Sequence, residues 1–162
     1  MRTCSRMLTL VAGTVLLSTV AQATEPAGIE SNVLLGQGRT LRTLKDYIKV
    51  GNDWMVSVED QGQSEFYFQD FSMRPGGRTG WHSHPGLLLI TVKEGGVDWY
   101  DKDCAKRSFT AGQSFTEGSE PHNVVNSGSG YARLLVFYIV KSGEPRRIEN
   151  NQPTCGQSLQ LP

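Results

Sequence analysis

The sequence predicts an all-β domain, either a sandwich or a barrel, and three observations carry that expectation. Strand-like runs recur at a spacing of roughly ten residues. The breaks between them are rich in glycine, of which the chain has 18. No convincing long helix interrupts them. The length, 162 residues, suggests one domain.

The first 23 residues read as a secretory signal. Arg2 and Arg6 form a basic start, residues 7–20 are an apolar run, and Ala21-Gln22-Ala23 is an A-x-A cleavage site. This stretch is too short and wrongly flanked for a spanning helix. Cys4 precedes the apolar run, which is the wrong place for a lipid-anchored signal. The A-x-A site argues against an uncleaved anchor. The mature chain is therefore expected to be periplasmic or secreted and to begin near Thr24. At about 139 residues it can bury a core without help from a metal or a disulfide.

Residues 24–53 read as an N-terminal arm. Positions 24–40 are polar, contain glycine and keep no sustained period. Residues 41–50 mix apolar and basic positions and fit a short helix or an edge strand equally. The barrel is expected over 54–141. Residues 55–58 make a short strand. Residues 64–73 make a longer one, with Phe66, Phe68 and Asp70 on one face and Tyr67, Gln69 and Phe71 on the other. Arg74-Pro75-Gly76-Gly77 should break it. The mostly apolar run 87–93 predicts a strand covered on both faces. Glu94-Gly95-Gly96 turns the chain, and 97–100 returns. Short strands follow at 107–110, 114–116 and 122–126. Residues 131–140 carry the strongest strand pattern. Phe66, Phe68, Phe115, Tyr131, Phe137 and Tyr138 are expected in the core or lining the barrel. The tail, 142–162, is polar and contains prolines, so an irregular course over the barrel is expected.

Cys104 and Cys155 remain after signal cleavage. An even pair in an exported protein reads as a disulfide, with two free thiols as the alternative. The bond would pin the tail, closing a loop of about fifty residues at a gain of about 4 kcal/mol. No histidine lies near either cysteine in sequence, which disfavours a thiolate nucleophile. Without Arg2 and Arg6 the chain has fourteen basic and sixteen acidic residues, a net charge of −2. That excludes the basic surface that nucleic acid or an anionic membrane requires. The partner expected is a small molecule.

The chain has only three histidines. His82 and His84 are two apart, so in a strand both imidazoles aim at one space. His122 sits in a second stretch punctuated by glycine and proline. Imidazole is a good ligand for zinc, iron, copper or nickel.

At these residues the sequence resembles the cupin superfamily. The first cupin motif is Gly, five residues, His-x-His, three or four residues, Glu, six residues, Gly. Gly76, His82, Ser83, His84 and Gly95 match it, with Leu88 at the glutamate position. The second motif begins at Gly112 and closes with His122 and Asn126. Gly118-Ser119-Glu120-Pro121 stands where Pro-x-Gly is expected, and the segment is one residue shorter. The resemblance spans about residues 54–140.

It implies a double-stranded β-helix, the cupin or jelly-roll barrel, with His82, His84 and His122 as ligands of one divalent metal: Fe, Mn, Zn, Ni or Cu. Either the three imidazoles hold the ion alone, or another carboxylate replaces the missing one, with Glu117 ahead of Glu120. Leu88 is either a greasy pocket wall or plain barrel core, and Trp81 either walls the pocket or packs outside it. Arg78 reads as a solvated loop residue or a carboxylate ligand, and Asn126 as a turn stabiliser. The activity implied is a dioxygenase-type oxidation of a small organic substrate, with isomerase or lyase chemistry fitting the same residues. The alternative is a non-catalytic module that binds a small ligand or metal. The resemblance also brings the expectation of a homodimer through the barrel edge.

Overall fold

The structure, a computed structural model, describes residues 23–159 and 161. The signal read over residues 1–23 lies outside them except for Ala23. The fold is all-β. Among the described residues, twelve strands and one short helix, α1 (Thr154–Ser158), are formed. Ten of the strands make a nearly closed antiparallel barrel.

Strand β4 (Ser64–Arg78) is central. On one side it pairs with β1 (Ala27–Arg39), which sets Ile29 opposite Met73 and Gln37 opposite Tyr67. On the other it pairs with β11 (Ala132–Lys141), which in turn pairs with β6 (Gly86–Glu94). Beyond β6 lies β9 (Ser114–Glu117). A second run joins β8 (Lys106–Thr110), β7 (Gly96–Asp101) and β10 (His122–Val125). β10 then meets the two-residue strand β5 (His82–Ser83), and β12 (Ile148–Glu149) closes on β5 from the tail.

The core follows the two-residue period of β6 and β11. Leu88, Ile90 and Val92 from β6 meet Ala132, Leu134, Val136, Tyr138 and Val140 from β11, with Met73, Val97 and Val124 added from neighbouring strands.

Five expectations are corrected. Residues 27–39 are not an arm but a thirteen-residue barrel strand. Register shifts between Ala27 and Ile29, Ile29 and Ser31, and Leu34 and Gly36 reset its phase, so no steady alternation survives in the sequence. The barrel therefore does not begin at 54. Instead β2 (Lys45–Val50) and β3 (Trp54–Glu59) pair only with each other, as a separate hairpin. Ile48, Val50, Trp54 and Val56 share one exposed face of it.

The Arg74–Gly77 stretch does not end β4, which runs on to Arg78. Gly76 N–H donates to the Asn126 carbonyl, and Asn126 N–H donates to the Gly77 carbonyl, which carries the pairing through. The run 87–93 is covered on one face only. Leu87 and Leu89 are 45% and 44% exposed, between buried neighbours. Phe68, stacked on Phe137 with ring centroids 4.7 Å apart, and Tyr131 are likewise half-exposed, so neither is core.

Asn126 ties a turn as expected. Its amide donates to the Met73 and Gly130 carbonyls, and its side-chain oxygen accepts from Gly128 N–H. Cys104 and Cys155 form a disulfide that joins the turn after β7 to α1, across 51 residues of sequence. Replacing both by serine should lower the unfolding free energy by about 4 kcal/mol. Urea midpoints with and without reductant check this; a midpoint insensitive to both would remove the bond from the stability account.

Candidate metal centre

His82 and His122 are brought together by strand pairing. They stand opposite each other across β5 and β10. His84 follows β5 directly, and its amide donates to the Gly118 carbonyl, which ties it to the residue after Glu117. The bend that presents the pair needs Gly80. Its φ is 72°, and a Cβ there would lie 2.0 Å from the Thr24 carbonyl oxygen. Glu117 closes the group from the last position of β9, directly opposite Leu88.

The four side chains are buried, and one ligand atom from each lies within 4.8 Å of the others. Glu117 Oε2 is 3.4 Å from His84 Nε2 and 3.3 Å from His122 Nε2. Two ligands sharing one ion through bonds of about 2.1 Å stand about that far apart.

All three imidazoles are anchored through Nδ1 to a backbone carbonyl: His82 to Gly80 (2.8 Å), His84 to Arg146 (2.6 Å) and His122 to Glu120 (2.8 Å). A carbonyl only accepts, so each Nδ1 carries the proton. In a neutral ring Nε2 is then a lone pair. His84 Nε2, His122 Nε2 and Glu117 Oε1 are buried without a hydrogen-bond partner. Acceptors thus face acceptors in a buried space, which is costly unless a cation lies between them.

Protons are one candidate and a metal ion the other. Burial, then the neighbouring His122, pushes His82 well below the ordinary imidazole range and towards neutrality. Burial pushes the Glu117 carboxyl up, but the facing imidazoles outweigh it and hold the group ionised. Burial pushes His122 down, and the Glu117 charge overcomes this and raises it. A fixed carboxylate beside three imidazoles with one tautomer is the donor set of a divalent borderline ion, and the residues fit it.

The centre opens on a cavity of about 270 Å³. Ile29, Phe71, Leu88, Ile90, Leu134 and Val136 make its apolar wall, and Gln69, Tyr138, Arg146 and Arg147 its polar one. Leu88 therefore lines the pocket. Trp81 does not. It is fully buried outside the lining, close under Gly156 of α1. Glu120 is exposed and contributes only its carbonyl, so it is no ligand. Arg78 is half-buried at the last position of β4 and is not part of the cavity lining, so it is not a solvated loop residue.

Arg146 was not singled out in the sequence. The Arg146-Arg147 doublet in a polar tail is the one signal it left.

Residues 69–138 match the family model described as Cupin domain. No curated protein sequence matches the chain. Among solved structures, the chain is similar to a predicted oxalate decarboxylase from Thermotoga maritima, with 21% identity over 49% of this chain and 83% of that one and a TM-score of 0.42. It is also similar to an uncharacterised conserved protein with a double-stranded β-helix domain from Klebsiella pneumoniae, at 16% identity, 68% and 87% coverage and a TM-score of 0.46. A cupin domain from Bordetella pertussis is 18% identical, with 62% and 95% coverage and a TM-score of 0.42. At such identities the likeness concerns fold alone.

Proposed function

Residues 69–138 match the Cupin domain family model, and from that premise we propose that the chain is an exported metal-dependent cupin acting on a small organic substrate. His82, His84, His122 and Glu117 hold one divalent ion. The observation that carries this reading is the group of unpartnered Nε2 and Oε1 atoms, buried and aimed at one another. A bound divalent ion supplies a Lewis acid and, if redox-active, a partner for dioxygen.

The chain's own residues do the rest. The Gly80, Arg146 and Glu120 carbonyls fix the imidazole tautomers. Leu88, Ile90, Leu134 and Val136 keep water from the inner wall. Tyr138, whose phenol is pushed up to about 12 by burial and then by Glu117, stays protonated at neutral pH beside His84.

Export rests on the first 23 residues and is supported by the Cys104–Cys155 bond, which needs an oxidising compartment. Self-association is supported by the uncovered apolar face of the β2–β3 hairpin, since an isolated two-stranded hairpin is marginal in water.

The test of catalysis is oxygen uptake. Protein loaded with Fe(II) or Mn(II) should consume dioxygen with a small aromatic or thiol substrate, and metal-stripped protein should not. Ligand binding without uptake for any loaded metal would instead establish a non-catalytic binding module.

A further inference from the structure

We propose that Arg146 is an anion anchor, which takes the carboxylate of a small organic acid whose other end faces the histidine–glutamate centre. The direction in which the acid points rests on the reading of that centre as the working site. The anion site itself stands on Arg146 and its surroundings.

Arg146 lines the cavity and is half-buried. Its guanidinium carbon lies 5.0 Å from the Tyr67 ring centroid and 5.8 Å from that of Tyr138. Its Nη1 donates to Gln69 Oε1 at 3.0 Å. Aromatic faces and one amide thus hold the plane of the group. Of the five N–H donors on a guanidinium, one is used. The others are set at its edges, in the fork that matches two carboxylate oxygens.

Charge distinguishes Arg146 from Arg147, the other arginine of the cavity lining, which pairs with Glu149. Among the described residues no carboxylate lies within ion-pair distance of Arg146. A positive group, oriented and left without a counter-ion at a cavity wall, is built for an anion that arrives from outside.

The same residue is tied to the centre through its backbone. His84 Nδ1 donates to the Arg146 carbonyl at 2.6 Å. The Tyr138 ring is near both groups, its centroid 5.9 Å from that of His84 and 5.8 Å from the guanidinium carbon. A ligand that touches both lies along one cavity wall. Its body would run past Leu88, Ile90, Leu134 and Val136, so it should be apolar. The cavity, about 270 Å³, lies below the range that holds drug-sized ligands. The ligand class is therefore a small monocarboxylic acid with an apolar body.

Calorimetry on the metal-free full chain tests this with acetate, butyrate and benzoate, each beside its neutral amide, and with sulfate. Removing the metal ensures that any preference for the acid does not come from a carboxylate on the ion. Butyrate or benzoate should bind at least about tenfold tighter than its amide, the size of a charge-assisted pair. Arg146→Gln should erase that preference, and Arg146→Lys should keep part of it. Equal binding of acid and amide by the unaltered chain would overturn the proposal without any variant. So would a preference that survives in Arg146→Gln, or sulfate binding as tightly as benzoate. Metal content of the unaltered chain is measured alongside. An Arg146-dependent preference in a chain that takes up no metal would keep the anion site and sink the metal centre. A metal-binding chain without the preference would do the reverse.

Discussion

Replacing both His82 and His84 by alanine should leave the purified protein with no divalent metal, against close to one ion per chain in the unaltered protein. Structural zinc sites bind with an apparent 10–16 kcal/mol, about 3 kcal/mol for each of four ligands. Losing one ligand then costs about a hundredfold in affinity and losing two about ten-thousandfold. The two rings sit with centroids 4.8 Å apart and supply half of the group that could hold an ion. The fold should survive the change. Neither ring belongs to the apolar cluster, and the backbone pairing of β5 with β10 and β12 does not depend on the side chains. Elemental analysis after purification, beside near-ultraviolet circular dichroism, decides it. A folded double variant that still carries one ion per chain would remove these histidines from the site.

Some of this was legible in the sequence and some was not, and the difference is physical. The histidines were legible because their spacing is local: two residues apart, beside glycine turns, within motif lengths that count along the chain. The barrel was legible where one face is buried and the other is not, as in β11, which keeps its alternation over ten residues. β1 was not, because three register shifts break its phase. The one-sided cover of β6 was hidden because Leu87 and Leu89 are apolar on the outside as well. Glu117 could be named only as one of two nearby carboxylates. What separates it from Glu120 is that β9 ends with its side chain inside, three residues before the chain turns outward. Arg146 lay beyond any pattern, since its place depends on how the tail crosses the barrel. Trp81 stayed open in the sequence, between pocket wall and outside packing, because its place depends on α1, which covers it.

The sharpest test of the centre is an exchange of two residues. The first cupin motif places its carboxylate where this chain has Leu88. Leu88 and Glu117 are directly opposite on β6 and β9, and such partners in an antiparallel pair lie about 4.5–5.5 Å apart at Cβ and share one face. The carboxylate has therefore moved one strand sideways and still reaches the same space. Glu117→Leu alone should weaken metal binding about a hundredfold, by the per-ligand figure. Adding Leu88→Glu to it should restore affinity to within about tenfold of the unaltered chain, since the exchange returns the same charge to the same pocket and conserves the pair's total volume. Leu88→Glu by itself sets two carboxylates side by side in a buried site, which should destabilise the metal-free protein and make its melting temperature depend more steeply on added metal. Competitive titration against a chromophoric chelator reads all four proteins. If Glu117→Leu binds as tightly as the unaltered chain, three histidines hold the ion alone. If it binds weakly and Leu88→Glu does not rescue it, position 88 does not reach the centre, and the sideways displacement of the carboxylate is wrong.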